Sequence, residues 1–354
     1  MLFDNKTLVV TGGTGSMGKT LVNRVLGGEM GTPKKVIVFS RDEAKQHEMR
    51  LAFQHKSRTT DEVIYRNFMQ VLEFRIGDVR DYAAVCSALR RADIVVNAAA
   101  LKQVPSCEYF PAEAVLTNCI GACNIVRAIE ENAYPAQTVV TISTDKACKP
   151  VNVMGMTKSL QERIFVAANI LNPGTRFIGV RYGNVLASRG SVIPLFHEQI
   201  AHGGPVTITS PKMTRFLLSL NRAVDTVFAA LKGARAGEIF VPRVPSATVA
   251  NIAKALIGKR KIPIGITGVR PGEKLHEIMV SEEEIHHCVK RGDYYVIKSM
   301  LPELQDGKDE PNAFKKEYSS MDGVIGYEAT VRMLEEHRLM VKDAPAFDEA
   351  ELLR

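Results

Sequence analysis

Thr11-Gly12-Gly13-Thr14-Gly15-Ser16-Met17-Gly18 sets glycines at 12, 15 and 18, directly after a β-branched apolar run and directly before a helical stretch. That spacing suits a nucleotide pyrophosphate. Gly12 permits the tight turn and Gly15 lets backbone approach the phosphates. Gly18 lets the following helix pack closely on the strand, and the helix N-terminus faces the negative charge. Gly12, Gly15, Ser16, Met17 and Gly18 are therefore candidate cofactor-binding residues. The next apolar run ends in Phe39-Ser40-Arg41-Asp42-Glu43. An NAD site usually carries Asp or Glu here to accept from the ribose 2′-hydroxyl. Ser40 and Arg41 instead offer a hydroxyl and a planar guanidinium fork to a 2′-phosphate, with Lys45 helping, so NADP is expected. The alternative is that Asp42 reaches back to the ribose of NAD. Asp78 and Val79, after Gly77, would cap the adenine, and Ala98 and Ala99 would run beneath the cofactor with small side chains.

These residues need a sheet whose strand ends present them. Short apolar runs at Thr7–Thr11, Lys35–Phe39, Val71–Ile76, Ile94–Asn97, Thr138–Ile142 and Arg176–Val180 alternate with longer amphipathic stretches. The spacing predicts right-handed βαβ units, a parallel sheet covered on both faces, and an α/β, Rossmann-like doubly wound architecture. After Arg181 the regularity falls into Gly- and Pro-rich connections, before a helix near 221–232 and a strand near 238–241. A chain of 354 residues exceeds one ordinary core. The expected division is a nucleotide-binding domain over 1–183, with 217–244 returning to it, and a smaller substrate-binding lobe over 184–216 and 245–354. Residues 306–320 read as a loop.

Hydrophobic residues at 45% and charged residues at 24% are ordinary globular composition. The net charge of +7 is spread along the chain, without tryptophan, which argues against nucleic acid and for a small polyanion such as paired pyrophosphates. No apolar run approaches the roughly 18 to 20 residues of a membrane span, and Met1–Lys6 leads straight into a strand without a signal peptide, so a cytoplasmic location is expected. Six scattered cysteines lack metal-ligand spacing. His286-His287-Cys288 would point to different faces of a helix, so no metal site is expected.

The segments above resemble the extended short-chain dehydrogenase/reductase superfamily. Further segments narrow the likeness: Ala98-Ala-Ala-Leu-Lys102-Gln-Val-Pro105, Ser143-Thr144-Asp145-Lys146-Ala147, Arg181-Tyr-Gly-Asn184, Ser188-Arg189-Gly-Ser-Val192, Met213-Thr-Arg215-Phe216 and Arg270-Pro-Gly-Glu273-Lys274. They are similar to those of UDP-N-acetylglucosamine 4,6-dehydratases of surface-glycan synthesis, of the kind that also inverts C5, over roughly residues 1 to 300. One departure is plain. The superfamily's Tyr-x-x-x-Lys is here Met154-Gly-Met-Thr-Lys158, and a thioether cannot do acid–base work. Members of the resembled group also carry Met at this place.

What the resemblance implies is internally redox-neutral dehydration. Hydride leaves C4, water leaves across C5 and C6, and the hydride returns at C6. Protonated Asp145 would deliver a proton to the departing hydroxyl and neutral Lys146 would take the C5 proton, both tuned by burial. Lys158 would hold the nicotinamide ribose, and Thr144 or an ordered water would relay the C4 proton. Lys102 is either near the substrate or a solvated loop lysine. Asn184, Arg189, Arg215, Arg270 and Glu273 would hold the substrate diphosphate and uridine. The implied partners are a UDP-sugar and a second copy of the chain, paired through apolar helices of the sheet layer. Two rival readings remain, a UDP-sugar 4-epimerase and a catalytically silent NADP-binding protein.

Overall fold

The computed structural model describes residues 1–55, 62–186, 191–305, 307 and 310–341. Among them a nine-stranded sheet forms from β1 (Thr7–Thr11), β2 (Lys35–Ser40), β3 (Leu72–Ile76), β4 (Ile94–Asn97), β5 (Thr138–Thr144), β6 (Arg176–Tyr182), β7 (Ile239–Pro242), β8 (Cys288–Arg291) and β9 (Tyr294–Ile297). The order across it is β8-β9-β7-β6-β5-β4-β1-β2-β3. β1 is buried at every residue, as is β4, which is why these runs are apolar without alternation. From β3 to β7 neighbours pair in parallel, whereas β7 with β9 and β9 with β8 pair antiparallel. β1 has β2 on one side and β4 on the other, so chain order reverses there. The crevice beyond the C-terminal ends of β1 and β4 is the switch point where such sheets take ligands.

The chain divides into two compact units. The first comprises Met1–Tyr182, Leu220–Arg243 and Met279–Glu317, and the second Gly183–Ser219, Val244–Ile278 and the described residues from Tyr318 on. The core of the first joins strand residues Val9, Ile37, Val95 and Val139 to Phe165 and Phe177. The second has its own core, in which Phe196, Ile252, Leu256 and Leu334 meet from three helices.

Two differences from the sequence reading have physical causes. Residues 279–317, expected in the smaller lobe, belong to the sheet-bearing unit, because β8 and β9 extend the sheet antiparallel beyond β7. The expected loop over 306–320 ends in a short strand, Tyr318–Ser319, paired with Ile278–Val280. The helical stretch Pro111–Asn132 is long and apolar enough to cross a membrane by length and composition alone, and most of it is buried inside the fold. Polar residues such as Asn118 and Asn124 lie among its buried side chains.

Candidate active site

The glycine loop follows β1. Gly12 has a φ of +65°, and a Cβ there would stand 2.7 Å from the Ala99 nitrogen and 2.8 Å from the Ala98 carbonyl, so only glycine lets the loop pass the end of β4. A Cβ on Gly18 would meet the Gly13 backbone at 2.5 Å, which closes the helix Ser16–Leu26 onto the loop. That helix begins at Gly15 without a side-chain cap and without an acidic residue in its first turn. Its N-terminal dipole therefore faces outward unopposed by a carboxylate. The cradle fits a dinucleotide pyrophosphate. Thr11 Oγ1 donates to Asn97 Oδ1 at 2.7 Å and accepts from the Ala99 amide at 3.3 Å, which ties the Ala98-Ala99 backbone to β1.

At the end of β2, Ser40 is buried and its hydroxyl accepts from Gln46 Nε2 at 3.0 Å. The Arg41 side chain is 57% exposed, with Nη1 3.7 Å from Asp78 Oδ2. Asp78 also accepts from Arg80 at 2.7 and 2.9 Å, and the arginine bonds hold its carboxyl below the usual range against the opposing effect of burial. The Lys45 ammonium is bonded to Asp42, whose carboxylate also accepts from the Lys45 amide at the helix start. The Val79 side chain lies in the core against Gly121.

The last residue of β5 is Thr144, and a single 3₁₀ turn, Asp145–Ala147, carries the chain off the sheet. Asp145 is fully buried. Its Oδ1 accepts from Thr144 Oγ1 at 3.0 Å and from Lys146 Nζ at 3.0 Å. The three side chains thus meet at one oxygen. Carboxylic acid beside amine and carboxylate beside ammonium hold the same number of protons, so either arrangement fits this contact. The contact can present an acid and a base together.

The helix Val153–Leu171 packs on this turn. Asn152 caps it, accepting from the Gly155 amide at 2.8 Å, and a Cβ on Gly155 would stand only 2.2 Å from the Lys146 carbonyl oxygen. Lys158, one helical turn beyond Met154, is buried with Nζ donating to the Ile142 carbonyl at 2.5 Å and to Gln161 Oε1. Burial lowers its ammonium to about 8, against the opposing pull of Glu162. Met154 turns into an apolar cluster with Cys107 and Ala114, edged by Leu101 and Val104, and a catalytic hydroxyl is not reproduced there by any neighbouring group of that cluster.

Sequence reasoning missed Gln161 and Asn118. Gln161 receives Lys158 and Thr141 Oγ1 on its oxygen and donates to the Asn118 carbonyl at 2.8 Å. That carbonyl sits in a π-helical turn, Leu116–Ile120, a widened turn whose carbonyls are released from the α-helical ladder. Neither residue carries a spacing signal. Lys102 lies exposed on the connection after β4.

Within the second unit, Asn184 begins the short strand Asn184–Val185 and pairs with Leu217. Arg215, on the strand Thr214–Leu218, is buried and donates to the Thr214 and Leu275 carbonyls at 2.8 and 3.2 Å, so it braces the backbone after Arg270-Pro-Gly-Glu273 as well as facing Glu277. Arg270 is exposed and its carbonyl accepts from the Glu273 amide at 3.1 Å, while Glu273 Oε2 accepts from Thr209. Arg189 lies outside the described residues. Among the described residues no group of three or more His, Cys, Asp or Glu is placed to hold a metal ion.

A family model described as polysaccharide biosynthesis protein matches residues 8–299. A UDP-glucose 4-epimerase of Rickettsia typhi is 44% identical over 313 residues, which is 87% of this chain and 85% of that protein. Among solved structures, Pen from Bacillus thuringiensis aligns with a TM-score of 0.85 at 33% identity, covering 96% of this chain and 100% of that one. DesIV, a dTDP-glucose 4,6-dehydratase from Streptomyces venezuelae with NAD and TYD bound, aligns with a TM-score of 0.65 at 20% identity over 94% of this chain and 98% of its own, a likeness of fold.

Proposed function

Because the chain belongs to the polysaccharide biosynthesis protein family, with the Rossmann-like fold of extended short-chain dehydrogenases/reductases, we propose that it is an NADP-dependent lyase that dehydrates UDP-N-acetylglucosamine across C5 and C6 and inverts C5. One observation carries this reading: a fully buried carboxyl and an amine share a 3.0 Å contact on the turn that ends β5. Oxidation at a sugar hydroxyl needs no such pair. Removal of a carbon-bound proton together with departure of a hydroxyl needs both members.

Gly12, Gly15, Ser16, Met17 and Gly18 would hold the NADP pyrophosphate, Ser40 and Arg41 the 2′-phosphate, Asp78 and the Val79 backbone the adenine end, Ala98 and Ala99 the face below, and Lys158 the ribose hydroxyls. When bound, the cofactor supplies oxidation at C4 and reduction at C6. The protein does the proton work. Lys146, uncharged beside Asp145, takes the C5 proton that a C4 ketone makes acidic. C5 later takes one proton from a water on its opposite face, which inverts it, and Lys146 returns one to solvent, so its own count closes. Asp145 gives its proton to the C6 hydroxyl as that leaves. Asp145 must recover one proton per turnover and the C4 hydroxyl loses one, so the Thr144 hydroxyl, bonded to Asp145 at 3.0 Å, closes the count where Met154 cannot. Asn184, Arg189, Arg215, Arg270, Glu273 and Lys102 are assigned to the nucleotide sugar, arginine forks matching a diphosphate.

A second reading has its own support, the name UDP-glucose 4-epimerase carried by the Rickettsia typhi relative. Epimerisation at C4 leaves the C5 proton in place. Incubation of the purified chain with UDP-N-acetylglucosamine and with UDP-glucose separates the two, since dehydration yields a product lighter by one water and epimerisation a product of unchanged mass. An unchanged mass from both sugars would sink the dehydratase reading. We also assign the chain to a homo-oligomer, since Val115, Leu116 and Ile120 on one helical stretch and Met156 and Leu160 on another are 40 to 53% exposed. A single-copy species in sedimentation velocity removes that assignment.

A further inference from the structure

Lys149 follows the turn Asp145–Ala147 by two residues and has a φ of 44°. That left-handed conformation costs a branched or long side chain roughly 1 kcal/mol or more, and Gly or Asn takes it with less strain. A lysine here needs a use for its side chain. It has one. Nζ reaches Glu317 Oε2 at 2.8 Å and Glu282 Oε1 at 3.1 Å, two carboxylates from the segment Met279–Glu317 of the same unit. The residue before it is tied to the same segment: Cys148 Sγ lies 3.7 Å from Glu284 Oε2, and Glu284 is gripped by the buried Arg181 at 2.7 and 2.8 Å. The Cys148 amide in turn closes the turn, donating to the Asp145 carbonyl at 3.1 Å.

We propose that Lys149 is a positioning residue, its two-carboxylate tether to Glu282 and Glu317 fixing the exit of the turn that carries Asp145 and Lys146. One end of the turn is fixed by β5 and its middle is pressed by Gly155, and at the exit the Lys149 tether adds to the hold that Cys148 has through Glu284. The tether is half exposed, and ion pairs of that kind contribute little to overall stability. Its role is in geometry. The proposal rests on reading Asp145 and Lys146 as the acid–base pair.

The full chain with NADP present is compared with Lys149→Asn, which accepts the same φ without the charge, and with Lys149→Arg, which keeps the charge. The asparagine variant lowers kcat by about tenfold, because a misplaced catalytic group loses rate before it loses binding. Its KM for the nucleotide sugar, its NADP dissociation constant and its Tm stay at the parent values, and the arginine variant recovers kcat. Deuterium exchange at the Lys146, Ala147 and Cys148 amides, read without any substrate, becomes faster in the asparagine variant only. Unchanged exchange overturns the tether, and so does faster exchange with unchanged kcat, or a kcat loss that arrives with equal losses of KM and Tm. If the parent does not dehydrate UDP-N-acetylglucosamine, the functional reading fails separately, and the exchange comparison alone decides the tether.

Discussion

Replacing Gly155 by alanine would drive a methyl group into the backbone of the proposed catalytic turn. The added Cβ would stand 2.2 Å from the Lys146 carbonyl oxygen and 3.1 Å from its carbonyl carbon. Non-bonded heavy atoms settle at about 3.5 Å, so helix and turn must separate by about 1 Å. The opposing face offers no slack, because Pro150 Cβ lies 3.1 Å from the same point. A displacement of that size in a catalytic group costs on the order of 100-fold in rate. The fold pays less: overpacking costs roughly 1 to 3 kcal/mol, and alanine returns about 1 kcal/mol of helix propensity. The expected outcome is a folded protein, with NADP affinity and KM near the parent values and kcat lowered about 100-fold. Product formation by mass spectrometry, a thermal melt and a cofactor titration measure the three quantities. Gly174→Ala is the control, since nothing lies within 4 Å of a Cβ there, and it should leave kcat unchanged. A Gly155→Ala enzyme within threefold of the parent, at equal Tm, would refute the reasoning.

Two more outcomes follow from the site. Lys158 is held near 8 in the folded chain against an ordinary 10.5, so at pH values between these the unfolded chain binds more protons than the folded one. Stability therefore rises with pH through that window, by up to about 3 kcal/mol, and the penalty is full below it. Denaturant titrations from pH 7.5 to 10.5 should show this rise in the parent and a flatter profile in Lys158→Met; parallel profiles would place the titration elsewhere. Arg41→Ala should weaken NADP by roughly tenfold, the value of one charge-assisted hydrogen bond, and leave NAD binding unchanged. Isothermal titration with both cofactors checks it, and equal losses would remove the 2′-phosphate from Arg41.

Much of the frame is local enough to be written in the chain itself. β1 and β4 fall on the apolar runs Thr7–Thr11 and Ile94–Asn97, because strands buried on both faces must be β-branched and apolar throughout. The glycine loop is equally local, since only glycine at 12 and 18 lets loop, strand and helix approach so closely. Asp145, Lys146 and Lys158 were legible as chemistry-bearing types, but not the contact between the first two or the depth of the third.

Those features depend on neighbours remote in sequence. Lys149 meets Glu282 and Glu317 across more than a hundred residues, and no periodicity announces an ion pair. Residues 279–317 join the first unit because β9 pairs antiparallel with β7, and backbone pairing of that kind is nearly blind to side-chain identity. Lys45 meets Asp42, an oppositely charged group three residues away, in a contact that needs no distant segment. Composition and spacing determined which groups this chain possesses and on which kind of scaffold. Packing alone decided which of them touch, since contact between distant segments is set by the closing of the whole fold and not by any stretch within it.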